Sequence, residues 1–326
     1  MTLTLTIQAA DWNRHVDSTA AQVQGLVPVV KGNGYGFGRS WLADRAATLS
    51  PVMAVGSIHE VPDVPSNYTA VVLTPALSFP NPLRANAIVT VGSLRHIQAA
   101  ATAPGPKLGA GRQVLVKVRS SMRRYGVDPQ EVPALIAACD NAGLHVVGLS
   151  IHPPLHGSSS DHRHEVEMLI NATKKSGVDS TLPIWVSHLE IDDYNALRQN
   201  HSERTWHLRM GTTLWHGDKS MFSLQADVLD VVEVNAGSVV GYRGIRLELD
   251  GHLVLVGCGS ANGVAPLADG RSPFHFQRRR LELIESPHMH TSMCFVPSGD
   301  DLPCVGDNID VQRPLTHSTV DGIIWA

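Results

Sequence analysis

An α/β chain, a (β/α)8 barrel followed by a small, mostly β C-terminal domain, is the fold this sequence predicts, and three observations carry it. Eight short apolar, β-branched runs recur between residue 27 and about residue 212; helical stretches separate them; and the helical pattern stops after about residue 217. Strands buried on both faces read as continuous Val/Ile/Leu runs, and strand–helix alternation requires parallel crossovers. Eight such units close into a cylinder. An open doubly wound sheet is the competing arrangement for the same alternation.

In chain order the runs are Val27–Lys31, Val52–Ser57, Ala70–Thr74, Ala87–Val91, Val114–Arg119, His145–His152, Leu182–His188 and Trp206–Thr212. Helical patterns cover Trp41–Leu49, Glu131–Asn141 and His162–Lys175. Gly143 and Gly177 follow the last two as C-terminal stop signals. Beyond residue 217 the stretch MFSLQADVLDVVEVNAG alternates, with a turn at Asn235-Ala236-Gly237. Asp250-Gly251, between Ile245–Leu249 and His252–Val256, carries a hairpin signature. The division is therefore 1–217 for the barrel and 218–326 for the β domain.

With 43% hydrophobic and 17% charged residues the composition is that of a soluble globular protein. A net charge of −4 without a basic stripe argues against a nucleic-acid surface. The run Arg278-Arg279-Arg280 is short and followed by Glu282 and Glu285, a solvated face. No apolar run approaches the roughly 20 residues of a membrane span. The first residues, MTLTLTIQAADWNRH, have neither the basic start nor the apolar core of a signal peptide. Cys139, Cys258, Cys294 and Cys304 read as reduced thiols, which points to a cytoplasmic setting.

Reacting groups of a barrel gather where its strands end. The first strand ends in Lys31, within VPVVKGNGYGFG, whose glycines fit neither a dinucleotide fingerprint nor a phosphate loop. The fifth runs into VKVRSSMRRYG with Lys117 and Arg124, the sixth ends at His152, the seventh at Ser187-His188, and the eighth at Arg209-Met210-Gly211-Thr212. Singly, a strand-end lysine reads as a solvated residue and a strand-end histidine as scaffold. Together they place an amine, an imidazole and two guanidiniums at one mouth. Main-chain N–H groups of Gly211 and Thr212 are then available to a phosphate. A lysine crowded by cations in a partly dry pocket loses its proton readily and becomes a Schiff-base nucleophile. With a phosphate site nearby, pyridoxal 5'-phosphate is the economical ligand.

These residues resemble the alanine racemase family. VVKGNGYGFG is similar to the family's V-V-K-A-N-A-Y-G-H-G, and MAVGSIHEV (53–61) to its second-strand segment. VLVKVRSSMRRYGV (114–127) resembles L-K-x-D-T-G-M-x-R-L-G, GLSIH (148–152) the G-x-x-T-H strand, and LRMGTTLWHG (208–217) R-P-G-I-x-L-Y-G. AGSVVGY (236–242) and VGDNIDV (305–311) extend the likeness over nearly the whole chain.

The resemblance implies that Lys31 carries pyridoxal phosphate as an internal aldimine and acts as base on one face of the substrate's Cα. It implies that Tyr35 and the N–H groups of Gly211 and Thr212 hold the phosphate. His152 and Ser187 would lie at the cofactor, Arg209 at the pyridine nitrogen, and Arg124, positioned by Lys117, at the substrate carboxylate. A head-to-tail homodimer is implied, with Ser260 and Met293 entering the partner's site and an amino acid as the small-molecule substrate; no nucleic acid or membrane partner is expected. The departures are specific. The family's G-Y-A-D-G appears as Gly259-Ser260-Ala261-Asn262-Gly263, so Ser260 replaces the tyrosine that serves as second base. Its M-D pair is Met293-Cys294, the aspartate of D-T-G is Arg119, and the chain ends at Ala326, short of the family's terminal strands.

The sequence thus reads as a pyridoxal phosphate-dependent amino-acid racemase or epimerase with an altered second base. Two alternatives stand beside it. One is a cofactor-binding relative without turnover, a carrier or interaction subunit. The other is a metal-assisted lyase of the same barrel class, suggested by His288, His290 and Cys294 in PHMHTSMC; the residues give no tight metal-ligand spacing.

Overall fold

A computed structural model describes residues 2–109 and 111–326. By its contacts the chain divides into two compact units. One comprises His15–Gly34 and Gly38–Gly217; the other comprises Met1–Arg14, Tyr35–Phe37 and Asp218–Ala326.

The first unit is the barrel. Its strands are β1 (Leu26–Pro28), β2 (Val52–Val55), β3 (Thr69–Val72), β4 (Ala87–Val91), β5 (Arg112–Lys117), β6 (Leu144–Ser150), β7 (Ile184–Ser187) and β8 (Trp206–Met210). All neighbours run parallel, in the order β1-β8-β7-β6-β5-β4-β3-β2. The cylinder closes just past β1, where Val29 bridges Ala54 and the Val30 N–H donates to Ala54 O at 2.8 Å. A closed ring excludes the open doubly wound sheet. Every residue of β1, β4 and β7 is buried, the two-faced burial that their unbroken apolar runs require.

The α-helices are Ala9–Ala21, Arg39–Ala47, Leu94–Thr102, Val132–Asn141, Ser159–Lys175, Ile191–Asn200 and the short Thr212–Trp215. Ser159–Lys175 begins earlier than its apolar spacing suggests. Ser158 and Asp161 form a reciprocal capping box there, satisfying two otherwise orphaned N–H groups. The crossover from β3 to β4 holds no α-helix; Pro75, Pro80 and Pro82 remove donors and fix φ along it.

The second unit is a strand-rich antiparallel assembly built on the long strand Phe222–Val234. Leu3–Ile7, part of the 1–217 segment in the sequence reading, pairs antiparallel with that strand and parallel with Gly322–Trp325. Its L-T-L-T-I alternation buries Leu3, Leu5 and Ile7 completely and leaves the threonines half-exposed, the period-2 pattern of a one-sided sheet. Phe37 packs among Trp12, Phe222 and Trp325 in the same unit.

The Asn235-Ala236-Gly237 turn forms, with the Ser238 N–H on Asn235 O at 3.1 Å. The hairpin at Asp250-Gly251 does not. Gly251–Val256 is occupied on both edges, by Phe222–Val234 and by Ser292–Pro297, so no ladder is left for Ile245–Leu249. Ile245–Arg246 pairs instead with Val239–Val240. A Cβ at Gly251 would collide with Val296 O and lie 2.7 Å from the Phe295 ring, so this glycine answers close sheet packing rather than a turn.

Candidate active site

Lys31 lies three residues past β1, and local hydrogen bonds set its position. Trp215, fully buried, donates its Nε1–H to Val29 O at 2.8 Å, and the Gly34 N–H donates to Lys31 O at 3.2 Å. The glycines after the lysine have a steric reason. Gly34 sits at φ +64°, and a Cβ there would come within 2.6 Å of Arg39 N. Lys31 is reachable from solvent. Its amine is nonetheless lowered below the ordinary lysine range, first by burial, then by the positive charges of Arg124 and Arg209, with Glu60 acting the other way.

Lys117 closes β5 and is 6% exposed. Its amine is lowered further, by burial and then by Arg209 and Arg124. The loop that follows folds back on it. Val118 bridges Val127, the Val127 N–H donates to Lys117 O at 3.1 Å, and a Cβ at Gly126 would meet Lys117 O at 2.6 Å. Arg119, standing at the aspartate position of the motif, is held by Asp128 at 3.0 Å and Gly126 O at 2.8 Å. Arg124 is exposed, its guanidinium 5.6 Å from the Tyr125 ring centroid.

Arg209, on β8, is the hub. Its Nη1 donates to Ser150 Oγ at 3.0 Å and its Nη2 to Ile151 O at 2.6 Å. Longer bonds of 3.4 Å reach Ser187 Oγ and Val186 O. All four acceptors are neutral. Burial lowers its pKa to about 10, with Arg124 adding to the effect, so it remains a cation at neutral pH. Ser187 Oγ lies 2.6 Å from His152 Nδ1. With Arg209 donating to that oxygen, the hydroxyl hydrogen goes to Nδ1, and the hydrogen-bond network assigns the ring proton to Nε2. Burial, then Arg209, Lys117, His188 and Arg124, push the His152 pKa far below the imidazole range, so the ring is neutral. Gly211 and Thr212 follow directly, Gly211 capping the Thr212–Trp215 turn.

The other residues singled out in the sequence lie in the β unit. Tyr35 is buried with a left-handed backbone, φ +57°, and burial pushes its hydroxyl up to about 12. Ser260 is exposed, and its N–H donates to His288 O at 2.8 Å. His288 Nε2 is 2.7 Å from Glu285 Oε1, and that carboxylate also accepts the N–H groups of Tyr242 and Arg243. The bond to His288 holds the Glu285 carboxyl below its usual range. Met293 packs against the apolar cluster of Leu247, Leu253 and Phe295. Cys258 and Cys294 are fully buried with thiols pushed up, that of Cys258 to about 12. No group of three His, Cys, Asp or Glu side chains among the described residues is placed to hold a metal ion.

The family model "Alanine racemase, N-terminal domain" matches residues 8–214. The chain belongs to the alanine racemase family. Solved structures agree on the fold. An alanine racemase of Clostridium difficile 630 is 16% identical, covering 100% of this chain and 96% of that one at a TM-score of 0.70. That of Streptomyces lavendulae, a D-cycloserine producer, is 19% identical, with the same coverage and TM-score. The alanine racemase of Bartonella henselae, solved with covalently bound pyridoxal phosphate, is 18% identical over 100% of both chains, TM-score 0.70. No curated protein matches the sequence.

Three residues were given no role in the sequence reading, although Glu60 lies in one of the quoted motifs. His188, at φ +60°, donates Nδ1–H to Pro153 O at 2.9 Å and lies 4.5 Å, ring to ring, from His152. His162 links two loops through His188 O and His156 O, at 2.8 and 2.9 Å. Glu60 accepts from the Gly32 and Gly56 N–H groups at 3.2 and 2.6 Å. Glu60 was visible in MAVGSIHEV, but a carboxylate that bonds main chain leaves no spacing signature.

Proposed function

We propose that this chain is a pyridoxal phosphate-dependent amino-acid racemase or epimerase. The observation that carries the reading is the cation cluster at the barrel's strand ends: Lys31, Lys117, Arg124 and Arg209 act on one another, and Glu60 is the one carboxylate among the described residues acting on Lys31. Clustered positive charge, half of it buried at Lys117 and Arg209, calls for anions. A phosphate ester and a substrate carboxylate supply them, and an aldehyde suits an amine that loses its proton easily. The cofactor, when bound, acidifies the substrate's Cα–H by delocalising the resulting negative charge.

The chain's own residues do the rest. Lys31 anchors the cofactor through Nζ and moves a proton on one face of Cα. Arg124, positioned by Lys117, binds the substrate carboxylate. Tyr35 and the N–H groups of Gly211 and Thr212 bind the phosphate, with His152 and Ser187 at the ring. Arg209 stays a cation and has no proton to spare for a pyridine nitrogen, which favours returning the proton to Cα over losing the amino group. On the opposite face Ser260 is the candidate base. A serine hydroxyl needs a proton acceptor, and of its neighbours His288, held by Glu285, suits that task better than the buried, high-pKa thiols of Cys258 and Cys294. A head-to-tail homodimer in the cytoplasm, its thiols reduced, completes the reading.

The test is the visible spectrum of the purified protein, borohydride reduction, and mapping of the labelled peptide, expected at Lys31. Incubation with candidate amino acids in D2O should then place deuterium at Cα. A labelled lysine elsewhere, or none, sinks the proposal. Labelling at Lys31 without Cα exchange in any amino acid supports the second reading, a cofactor-binding relative without turnover, which the tyrosine-to-Ser260 change favours.

A further inference from the structure

We propose that Glu60 is the positioning residue of the reactive lysine: one carboxylate ties the main chain just after Lys31 to the end of the neighbouring strand β2 and is the negative charge that the amine faces. The proposal rests on reading Lys31 as the reactive amine. Glu60 sits in the 3₁₀ turn Ile58–Asp63 that follows β2, and its side chain is 16% exposed. Its two oxygens do separate work. Oε1 takes the N–H of Gly32, the residue next to the lysine, and Oε2 takes the N–H of Gly56, just past the end of β2. Gly56 has no side chain because that space is taken: a Cβ there would lie 3.1 Å from Glu60 Oε2 and 3.1 Å from Lys31 Cβ. Carboxylate and lysine therefore flank the same bare Cα.

Arg39 holds the carboxylate in place. Its Nη1 donates to Gly32 O at 2.6 Å and lies 3.9 Å from Glu60 Oε1, and its Nε pairs with Asp63 at 2.5 Å. Ser40 Oγ donates to the other Asp63 oxygen at 2.9 Å. The charged groups bearing on the lysine are thus Arg124 and Arg209 on one side and Glu60, backed by Arg39 and Asp63, on the other. Arg124 and Arg209 favour the neutral amine, and Glu60 favours the ammonium. A lysine left to burial and the two arginines alone would titrate lower, so Glu60 fixes how far the amine is depressed.

Trace acetylation of the full-length, cofactor-free chain as a function of pH, read at the Lys31 peptide by mass spectrometry, tests this. Glu60→Gln keeps the shape and removes the charge. Its Lys31 midpoint is expected to fall by about one pH unit, raising labelling at pH 7 by about tenfold. Arg39→Gln, which leaves the carboxylate less neutralised, should move the midpoint up. Opposite shifts support the proposal. An unchanged midpoint in folded Glu60→Gln, or shifts of the same sign in both variants, overturns it. Failure of pyridoxal phosphate to label Lys31 in the unaltered protein would count against the proposed function and leave this titration result standing.

Discussion

At the barrel mouth the important groups meet through their side chains, whereas in the Gly259–Gly263 loop of the β unit they are held by main chain. Arg209 alone bonds four neutral acceptors at the ends of two strands, β6 and β7; one of them, Ser187 Oγ, lies against His152, and the Arg209 charge bears on both His152 and Lys117. Ser260 touches its neighbour through an N–H, Ala261 does the same to Met289 O, and Gly259 leaves no room for a Cβ against His288 O. A site built on side chains resists substitution, because each loss strands a buried partner. One built on main chain keeps its shape while the outward side chain changes. Buried Arg209 stands in the first setting, and exposed Ser260, set where the resembling motif has tyrosine, stands in the second.

The largest expected effect breaks the mouth. Lys31→Ala should abolish borohydride-stable labelling and visible colour while leaving the melting temperature within a degree or so, since an exposed lysine contributes little to folding. Colour persisting in that variant would move the chemistry to another amine. Next comes Ser260→Ala. Removing a positioned base commonly slows proton transfer by about 10² to 10⁴, so Cα deuterium exchange of the enantiomer whose Cα–H faces Ser260, and with it racemisation, should drop within that range, while exchange on the Lys31 face persists and stability is unchanged. An unaffected exchange rate would leave His288 to act without the serine, and His288→Gln then becomes the deciding variant.

Arg209→Leu separates the two regions by stability. It leaves Ser150 Oγ and Ile151 O without their donor, at a cost of about 2–3 kcal/mol in chemical denaturation. It should also raise the His152 titration midpoint, followed by NMR of the ring protons, since Arg209 is the largest charge holding that imidazole neutral. A His152 midpoint that stays put would remove Arg209 from the causes and leave burial with the remaining charges.

The histidines give the barrel a pH signature. His152 and His188 are lowered by burial, and His207, stacked on Trp185 at 3.8 Å, is lowered to about 4. An unfolded histidine titrates near 6.5. Below that pH the unfolded chain takes up protons that the folded one refuses, so stability is fully present above about 6.5 and falls as the pH drops, for His207 down to about 4. Each such group removes up to about 1.4 kcal/mol per pH unit over its window. Urea midpoints at pH 7.5, 6 and 5 should decline accordingly, with a shallower decline in His207→Gln.

Much of this was legible in the sequence, for identifiable reasons. The eight strands announced themselves because two-faced burial forces unbroken apolar runs, and their ends named Lys31, Lys117, His152, Ser187 and Arg209. Leu3–Ile7 was not placed, although its alternation was plain, because its partners lie more than 200 residues away in sequence. Glu60 and His162 were missed as working residues because both bond to main chain, and a carbonyl or an N–H carries no residue identity to pair with. The Asp250-Gly251 hairpin failed because a local turn preference was outweighed by long-range strand pairing on both edges.

That last point gives the smallest expected effect and a direct check on the β unit. In the structure Asp250 Oδ1 accepts the Ala236 N–H at 2.7 Å, and its carbonyl takes the Ser298 N–H at 3.0 Å. Asp250→Ala removes one acceptor and should cost about 1 kcal/mol. Asp250→Asn keeps an oxygen there and should be near neutral. A two-residue hairpin would behave differently, since Asn-Gly is the favoured pair for its tight turn and Asp250→Asn would then stabilise. Gly251→Ala separates the two arrangements again: the added Cβ meets Val296 O and the Phe295 ring, overpacking worth about 1–3 kcal/mol. A stabilising Asp250→Asn would mean that local turn chemistry sets this corner, and long-range pairing does not.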